Sequence, residues 1–353
     1  MVLDNYTTRK WSNVKAWLAR PSATTCISPR PPRRGLNLVE RWFRELTNKA
    51  IRRGVLHSVP DLIGSIEDYM KVITSEPLSA QKEHLEMEAC SMRLGRLFHP
   101  ETKRALVVAF DRGLGADASG GGEDPSAIIS AVDSSGAEGV LVSPGILDRH
   151  RHLLAHRHAP AVLLRSDFIF MGQLQPEGLA GDGEEYRVLV SGPEAAAMGA
   201  DAVVLFLILG YRSDATTADN AQAVARTARE AHAVGLPVIV ETVLWGSRAI
   251  NQADASALKY ACRLAAELGA DAVKTQYTGD VTSMREVITS CPVPVLLLGG
   301  PKVDTEEDLV NQTTEALSTG ARGLVYGRNV WQSADPSGTA TQLHRLVHES
   351  PAS

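Results

Sequence analysis

The chain has 353 residues, 44% of them hydrophobic and 22% charged, which is ordinary for a globular protein with one large domain or two smaller ones. A net charge of −5 gives no support for nucleic acid or an anionic membrane as a partner, and no apolar run reaches the roughly 18 residues of a membrane span. The four cysteines form no CxxC pair and the polar start lacks a signal-peptide core, so we expect a cytoplasmic protein without a zinc site or disulfide framework.

Residues 1–70 hold most of the tryptophans and a cluster of arginines and lysines, so the start of the chain differs in composition from the rest. Residues 36–55 and 58–62 resemble the C-terminal end of an insertion-sequence DDE transposase, in which Glu40 would be the third metal-binding acid. The two preceding acids are absent, and one carboxylate cannot hold the metals of a nuclease. We therefore predict that residues 1–85 are an N-terminal extension, mainly helical or partly disordered, left over from a transposase.

From about residue 103 onward, short apolar runs alternate with Ala-rich stretches that have helical spacing. Continuous apolar strands indicate a parallel sheet that is covered on its outer face, and the seven segments between the runs can each form a helix. The runs predicted to be strands are 105–110, 139–142, 161–164, 202–209, 237–240, 272–274, 294–298 and 323–326.

Two architectures fit this alternation, a closed eightfold barrel and an open doubly wound sheet. The barrel needs about 250 residues, and residues 103–353 supply that length. A dinucleotide-binding sheet would carry GxGxxG directly after the first strand, with a helix opening on the glycines. Here the first strand is followed by Asp111, Gly113 and Gly115, and the next glycines begin only at Gly120. We predict a (β/α)8 TIM barrel over residues 86–353.

Reacting groups of such barrels lie at the C-terminal ends of the strands. The conspicuous polar and aromatic residues there are Asp111, Arg165, Asp167, Glu241, Trp245, Lys274 and Tyr277. Burying the Lys274 ammonium costs several kcal/mol unless it is paired or loses its proton. The neutral amine is the nucleophile that attacks a ketone to form an iminium. On strand position alone, an ion pair of Lys274 with Glu241 or Asp111 is an equally good interpretation.

Further candidates surround this lysine. Asp111 and Glu241 are candidates for the proton transfers of iminium chemistry, or else are helix caps and ion-pair partners. Trp245 and Tyr277 either shape a donor pocket or pack in the core. Loops after the seventh and eighth strands commonly bind phosphate in these barrels, through backbone N–H groups and a basic side chain. The residues in those two loops are Gly299, Gly300, Lys302, Gly327 and Arg328.

Several stretches resemble, in the right order, the motifs of the DeoC/LacD-type class I aldolases. They are RLGRLFHP at 93–100, AFDRG at 109–113, VKTQYTG at 273–279, CPVPV and GGPK within 291–302, and GRNVWQ at 327–332. The group includes archaeal-type fructose-bisphosphate aldolase and the autoinducer-2 phosphate thiolase. The resemblance implies a carbon–carbon lyase with Lys274 as Schiff-base lysine, Asp111 as its acidic partner, and Gly300 and Arg328 at the substrate phosphate. It also implies no metal and no cofactor, and by analogy a homo-oligomer.

The chain departs from the family's pattern in two places. Asp111-Arg112-Gly113 stands where the family usually has Asp-His-Gly, and after the fifth strand this chain has Leu244-Trp-Gly-Ser-Arg248 where archaeal-type enzymes carry a Tyr-Pro-Arg-Gly stretch. The departures argue against fructose bisphosphate and leave a phosphorylated ketone or ketose as the expected substrate. Three alternatives to an aldolase stay open. They are a thiolase with acyl transfer on the same barrel, a non-catalytic barrel that binds a sugar phosphate, and DNA binding by the transposase remnant.

Overall fold

The structure is a computed structural model that describes residues 78–114 and 120–349. The segment that resembles a transposase, including Glu40, lies outside the described residues. The α-helices within the described part are α1 (Leu78–Leu97), α2 (Pro125–Ser135), α3 (Pro144–His150), α4 (Gly192–Met198), α5 (Asp214–His232), α6 (Ala255–Glu267), α7 (Val281–Ser290), α8 (Glu306–Ser318), α9 (Arg328–Trp331) and α10 (Pro336–Glu349). None of these helices is long and apolar enough to cross a membrane.

The strands are β1 (Ala105–Phe110), β2 (Gly139–Val142), β3 (Ala161–Arg165), β4 (Asp167–Met171), β5 (Glu184–Val188), β6 (Ala202–Ile208), β7 (Val238–Val243), β8 (Ala272–Thr275), β9 (Val295–Leu298) and β10 (Gly323–Tyr326). All except β4 and β5 form one closed parallel barrel in chain order, and β10 pairs with β1 to close it. The eight apolar runs of the sequence are these eight barrel strands, so the predicted TIM barrel is confirmed.

Alternation along each strand divides the barrel's apolar residues into two cores. Residues that point inward form a small central cluster, which includes Val107, Leu163, Val204 and Ile239. Their outward-pointing neighbours pack under the surrounding helices in a larger cluster. Leu97, at the end of α1, belongs to the central cluster and is 2% exposed, so α1 contributes to the core of the barrel.

The segment between β3 and β6 contains more than the helix that its sequence allows. The helix is present as the short α4, but β4 and β5 form an antiparallel hairpin before it. Alternate residues of the hairpin are buried, among them Ile169, Met171 and Tyr186, and they pack on Phe206 and Tyr211. The hairpin is stabilised because its apolar face covers the ends of neighbouring barrel strands. This is a tertiary contact, so it cannot be predicted from the spacing of apolar residues along the segment.

Candidate active site

The inward face of three neighbouring strands carries Lys274, Glu241 and Phe206 in one layer. The three residues are directly opposite one another on neighbouring strands, since Phe206 pairs with Glu241 and Glu241 pairs with Lys274. Each residue lies two positions after a member of the central cluster, for example Lys274 after Ala272. Because side chains two apart share a face of a strand, all three must point into the barrel mouth.

Lys274 and Glu241 form a buried ion pair in this layer. The Nζ atom of Lys274 lies 2.8 Å from Oε1 of Glu241, and the two residues are 6% and 4% exposed. The pairing offsets the cost of removing the ammonium from water. It also puts a carboxylate within hydrogen-bond reach of the proton that the amine must lose before it can act as a nucleophile.

Arg165, at the end of β3, connects Glu241 to two further carboxylates. Its guanidinium donates to Glu241 and to Asp111 Oδ2 at 2.7 Å, and it lies 3.5 Å from Asp167 Oδ1. The same guanidinium stacks 3.9 Å above the Phe206 ring. Burial alone would lower the pKa of Arg165, but the three carboxylates raise it, so the side chain remains a cation. The network therefore contains two cations and three acids.

Asp167 is a buried acid of this network with a raised pKa. Burial raises its pKa to about 6, against the lowering effect of Arg165 and of the hydrogen bond from the Phe206 N–H. The buried phenols of Tyr186 and Tyr211 lie on the same side of the network, and burial together with the Asp167 charge raises the pKa of both. The two phenols are therefore neutral, and Asp167 changes its protonation state near neutral pH.

The loops after β9 and β10 meet beside the mouth. Asn329 joins them, because its side-chain amide donates to the carbonyls of Gly299 and Pro301 at 3.0 and 3.1 Å and accepts from Val303 N at 2.9 Å. Arg328 donates to the Gly300 carbonyl at 3.1 Å. These contacts bring the two predicted phosphate loops together and hold a guanidinium between them.

The glycines of these loops serve different purposes. A Cβ at Gly299 would lie 2.7 Å from the Tyr326 ring, and one at Gly327 would lie 3.0 Å from the Ala109 carbonyl, so packing alone accounts for both. Gly300 adopts a φ of 65° and has no heavy atom within 4 Å of a Cβ position. Gly300 is therefore the glycine of these loops whose backbone is open to a ligand. Lys302 lies on the exposed rim of the same loop, where its ammonium donates to the Gln332 carbonyl at 2.5 Å.

The two aromatic candidates have different positions. Trp245 packs on Phe206, with ring centroids 5.5 Å apart, and so lies beside the Arg165 network. Tyr277 instead donates its hydroxyl to Glu315 on α8 at 2.6 Å, and its ring packs against the outer core. The expectation that Tyr277 helps to form the donor pocket finds no support in this position, because the residue lies where β8 has ended and its side chain is directed towards the helices.

Sequence reasoning assigned no role to Arg165, Asp167 or Asn329. The first two were visible as charged residues that follow an apolar strand, and Arg165 lies two positions after the inward-facing Leu163. Their partners Asp111 and Glu241 are 54 and 76 residues distant from Arg165, so the network itself is a product of barrel closure. Asn329 carried no signal beyond its position beside Arg328.

Comparison with known proteins adds independent information. The sequence profile of the DeoC/LacD family aldolases matches residues 105–333. An uncharacterised aldolase of Saccharolobus solfataricus is 31% identical over 265 residues, which cover 75% of this chain and 96% of the relative. The class 1 fructose-bisphosphate aldolase of Thermoproteus tenax is 31% identical over 251 residues, which cover 69% of this chain and 90% of that enzyme.

A solved structure shares the fold. An archaeal fructose-1,6-bisphosphate aldolase, with its catalytic lysine covalently bound to the carbinolamine intermediate of the substrate, is 28% identical and superimposes with a TM-score of 0.63. The alignment covers 73% of this chain and 99% of the archaeal chain.

Proposed function

Since the chain belongs to the DeoC/LacD family of aldolases and is a class I, Schiff-base lyase, we propose that Lys274 is its nucleophile and that its substrate is a phosphorylated ketone or ketose. The observation that carries the proposal is the buried pair of Lys274 with Glu241 at the barrel mouth. The class 1 fructose-bisphosphate aldolase of Thermoproteus tenax supports a sugar phosphate as the class of ligand.

The reaction starts with a proton transfer from Lys274 to Glu241, over the 2.8 Å that separates their Nζ and Oε1 atoms. The freed amine adds to the ketone carbon, and the resulting carbinolamine takes a proton on its hydroxyl and loses water. The product is an iminium, which withdraws electrons from the adjacent carbon–carbon bond. That bond can then break or form.

Glu241 and Asp111 are the proposed acid–base groups. Glu241, once protonated by Lys274, can return the proton to the carbinolamine hydroxyl, which then leaves as water. Asp111 lies on the other side of the Arg165 guanidinium, and its side chain is 11% exposed, so it is the carboxylate of the network that is most accessible from the mouth. We assign it to the hydroxyl of the substrate at the bond that breaks.

Arg165 acts as a positioning residue in this scheme. It holds one oxygen of Glu241 while the other oxygen accepts from Lys274, and the same guanidinium holds Asp111. The carboxylates are thereby kept in place before substrate binds, so that little reorganisation is needed during the reaction. Trp245, packed on the ring beneath Arg165, is the proposed wall of the donor pocket.

The substrate phosphate is assigned to the joined loops after β9 and β10. Gly299, Gly300 and Gly327 shape these loops, and Arg328 and Lys302 supply positive charge at their rim. A phosphate there would gain charge-assisted hydrogen bonds, which are stronger than neutral ones. In this scheme the phosphate anchors the substrate while its carbonyl reaches Lys274 in the central layer.

Borohydride reduction in the presence of dihydroxyacetone phosphate, followed by peptide mass spectrometry, tests the assignment. We expect a donor-sized mass increase on the peptide that carries Lys274 and none in Lys274→Ala. Lys259→Ala, which removes an exposed lysine of α6, is the matched control and should keep the adduct.

Failure to trap an adduct with this donor or with a panel of phosphorylated ketoses would contradict the assignment. Ligand binding without an adduct would then favour a barrel that binds a sugar phosphate without turning it over. An adduct on a lysine other than Lys274 would keep the class I mechanism and replace the nucleophile.

Three parts of the proposal concern the chain as a whole. We propose a boundary between an N-terminal extension and the barrel near residue 85, a homo-oligomeric state and a cytoplasmic location. The boundary is supported by the family match, which begins at residue 105, and by Leu97 of α1, which packs in the barrel core. Light scattering after size-exclusion chromatography would give the oligomeric state directly.

A further inference from the structure

Three side chains of metal-binding type meet at the end of the barrel opposite to Lys274. Glu138 immediately precedes β2, so it lies at the N-terminal ends of the strands, whereas Lys274 lies near a C-terminal end. His344 and His348 lie on α10, four residues apart, and so occupy the same face of that helix. The three donor atoms lie within 4.8 Å of one another.

The distances within the cluster are close to those of a metal site. Oε1 of Glu138 lies 3.2 Å from Nε2 of His344 and 2.9 Å from Nε2 of His348. In a tetrahedral zinc site, bonds of about 2.0 Å to nitrogen and oxygen separate the ligand atoms by about 3.3 Å. The two carboxylate–imidazole separations therefore match a zinc site closely, and the two imidazole nitrogens, which lie within 4.8 Å of one another, would close on the ion as it binds.

The state of His348 favours a ligand over a simple ion pair. Its Nε2 is buried and lies 2.9 Å from Oε1 of Glu138, to which it can donate a hydrogen bond only when the ring proton is on Nε2. Its Nδ1 is 2.8 Å from Thr102 Oγ1. With the ring proton on Nδ1 and directed at Thr102, Nε2 presents a free lone pair to the space shared with His344 and Glu138. In that tautomer the lone pairs of Nε2 and of Glu138 Oε1 face each other, an arrangement that a cation between the two atoms would stabilise.

Neighbouring groups hold the three side chains in place. Oε2 of Glu138 accepts from Leu106 N at 2.8 Å, which leaves Oε1 directed at the imidazoles. The ring of His99 packs on that of His348, with centroids 4.8 Å apart. Hydrogen bonds from outside the ligand set, such as that between Thr102 and His348, fix the orientation and tautomer of metal ligands in proteins.

We propose that Glu138, His344 and His348 bind one divalent transition-metal ion, with Zn²⁺ as the best match, and that the ion ties α10 to the N-terminal end of the barrel. Two imidazoles and one carboxylate are a ligand set that suits zinc, with water in the fourth position. The ion has a structural role, because it lies at the end of the barrel away from the Lys274–Glu241 pair.

Titration of the chelator-treated full-length chain with Zn²⁺ by calorimetry tests the proposal. We expect one ion per chain, and Co²⁺ in its place should give the visible absorption of a four-coordinate site. The double variant His344→Gln, His348→Gln should lose this binding. The matched control is His150→Gln, His152→Gln, which removes another pair of neighbouring histidine rings and should bind as the unmodified chain does.

Thermal unfolding gives a second readout. A hundredfold excess of Zn²⁺ over its dissociation constant should raise Tm by about 5 °C, and the double variant should not respond. Glu138→Gln keeps an acceptor for Leu106 N but loses the charge, so it should weaken zinc binding at least about tenfold, since the loss of even a hydrogen-bond partner of a metal ligand typically costs about that much. This variant keeps the test valid if the double variant does not fold.

Two results would overturn the proposal. One is the absence of stoichiometric binding, or binding of equal affinity by the double variant or by Glu138→Gln. The other is loss of borohydride trapping at Lys274 when zinc is removed from a folded chain, since that would make the ion catalytic. Retained trapping after metal removal supports the structural role.

Discussion

At the scale of single residues, one guanidinium organises the site. Arg165 contacts three carboxylates, one of which pairs with the proposed nucleophile. A buried cation with several partners leaves uncompensated charges when it is removed, a change that typically costs about 3–5 kcal/mol. Arg165 therefore both stabilises the folded barrel mouth and holds the proposed acid–base groups in position, so its loss should affect both.

Glu241→Gln tests the proton transfer. Glutamine keeps the length of the side chain and an acceptor for Lys274 Nζ, but it cannot take the proton, so iminium formation should slow by about 10²–10⁴-fold. The rate of borohydride trapping in a single turnover measures this step, and circular dichroism reports whether the variant folds.

Tyr277→Phe is a suitable comparison for that variant, because the Tyr277 hydroxyl donates to Glu315 on α8. We expect its trapping rate to stay close to that of the unmodified chain. A Glu241→Gln variant that traps the donor as fast as Tyr277→Phe does would remove Glu241 from the mechanism.

Asp167 should make the stability depend on pH. Its pKa in the folded chain is about 6, against an ordinary value of 3.8. The folded chain therefore holds this proton more tightly than the unfolded chain, and the free energy of unfolding should fall as the pH rises from about 4 to about 6, by up to about 3 kcal/mol. Below that window both states are protonated, and above it the loss is complete.

Urea denaturation of the unmodified chain and of Asp167→Asn at several pH values measures this contribution. Asparagine can still accept from the Phe206 N–H but does not titrate, so the difference between the two chains should follow the same window. Parallel pH profiles would contradict the assignment of the raised pKa to Asp167.

At the scale of elements, the pairing of β10 with β1 closes the barrel. Gly323, at the start of β10, adopts a φ of 142°, and a Cβ there would lie 1.9 Å from the Ala105 carbonyl oxygen. Gly323→Ala should therefore destabilise the chain by several kcal/mol, since both the backbone conformation and the contact oppose it.

Gly95→Ala is the matched control for that substitution. Gly95 lies in α1 with no atom within 4 Å of a Cβ position, so alanine there should stabilise the chain by up to about 1 kcal/mol. Chemical denaturation of both variants measures the difference, and a Gly323→Ala chain as stable as Gly95→Ala would contradict the proposed close approach.

The eight predicted barrel strands are confirmed, whereas the sequence analysis did not predict the hairpin between β3 and β6. Continuous apolar runs identify buried parallel strands by themselves, because each strand is covered on both faces. The hairpin of β4 and β5 has alternating burial instead, with Ile169 and Met171 inside and Phe168 and Phe170 less buried. With large apolar side chains at all four positions, the sequence does not show which ones are covered.

At the scale of the whole molecule, the chain should tolerate removal of its N-terminal segment. Cys90 and Leu97, both on α1, are buried, and the compact unit that contains the barrel begins at Lys82. A chain that starts at Lys82, after an initiating methionine, should therefore fold and form the Lys274 adduct with an unchanged rate.

A chain that starts at Pro100 is the control for this truncation. It lacks Leu97, whose side chain packs in the central cluster, and loss of such a buried leucine typically costs about 2–5 kcal/mol. Thermal unfolding of both chains measures the effect. Inactivity of the chain that starts at Lys82 would place the boundary earlier than residue 85.

The amino-acid sequence by itself determined the eight strands and the class of fold, because these depend on local periodicity and chain length, and its resemblance to the aldolase motifs implied Lys274 as the nucleophile. Only the tertiary structure decided that Lys274 faces Glu241, that Arg165 joins three acids, and that His344 and His348 meet Glu138 some 200 residues away. The physical reason is that these contacts depend on the register and closure of the barrel. Register decides which residues of neighbouring strands share a layer, and closure brings the last helix against the start of the second strand.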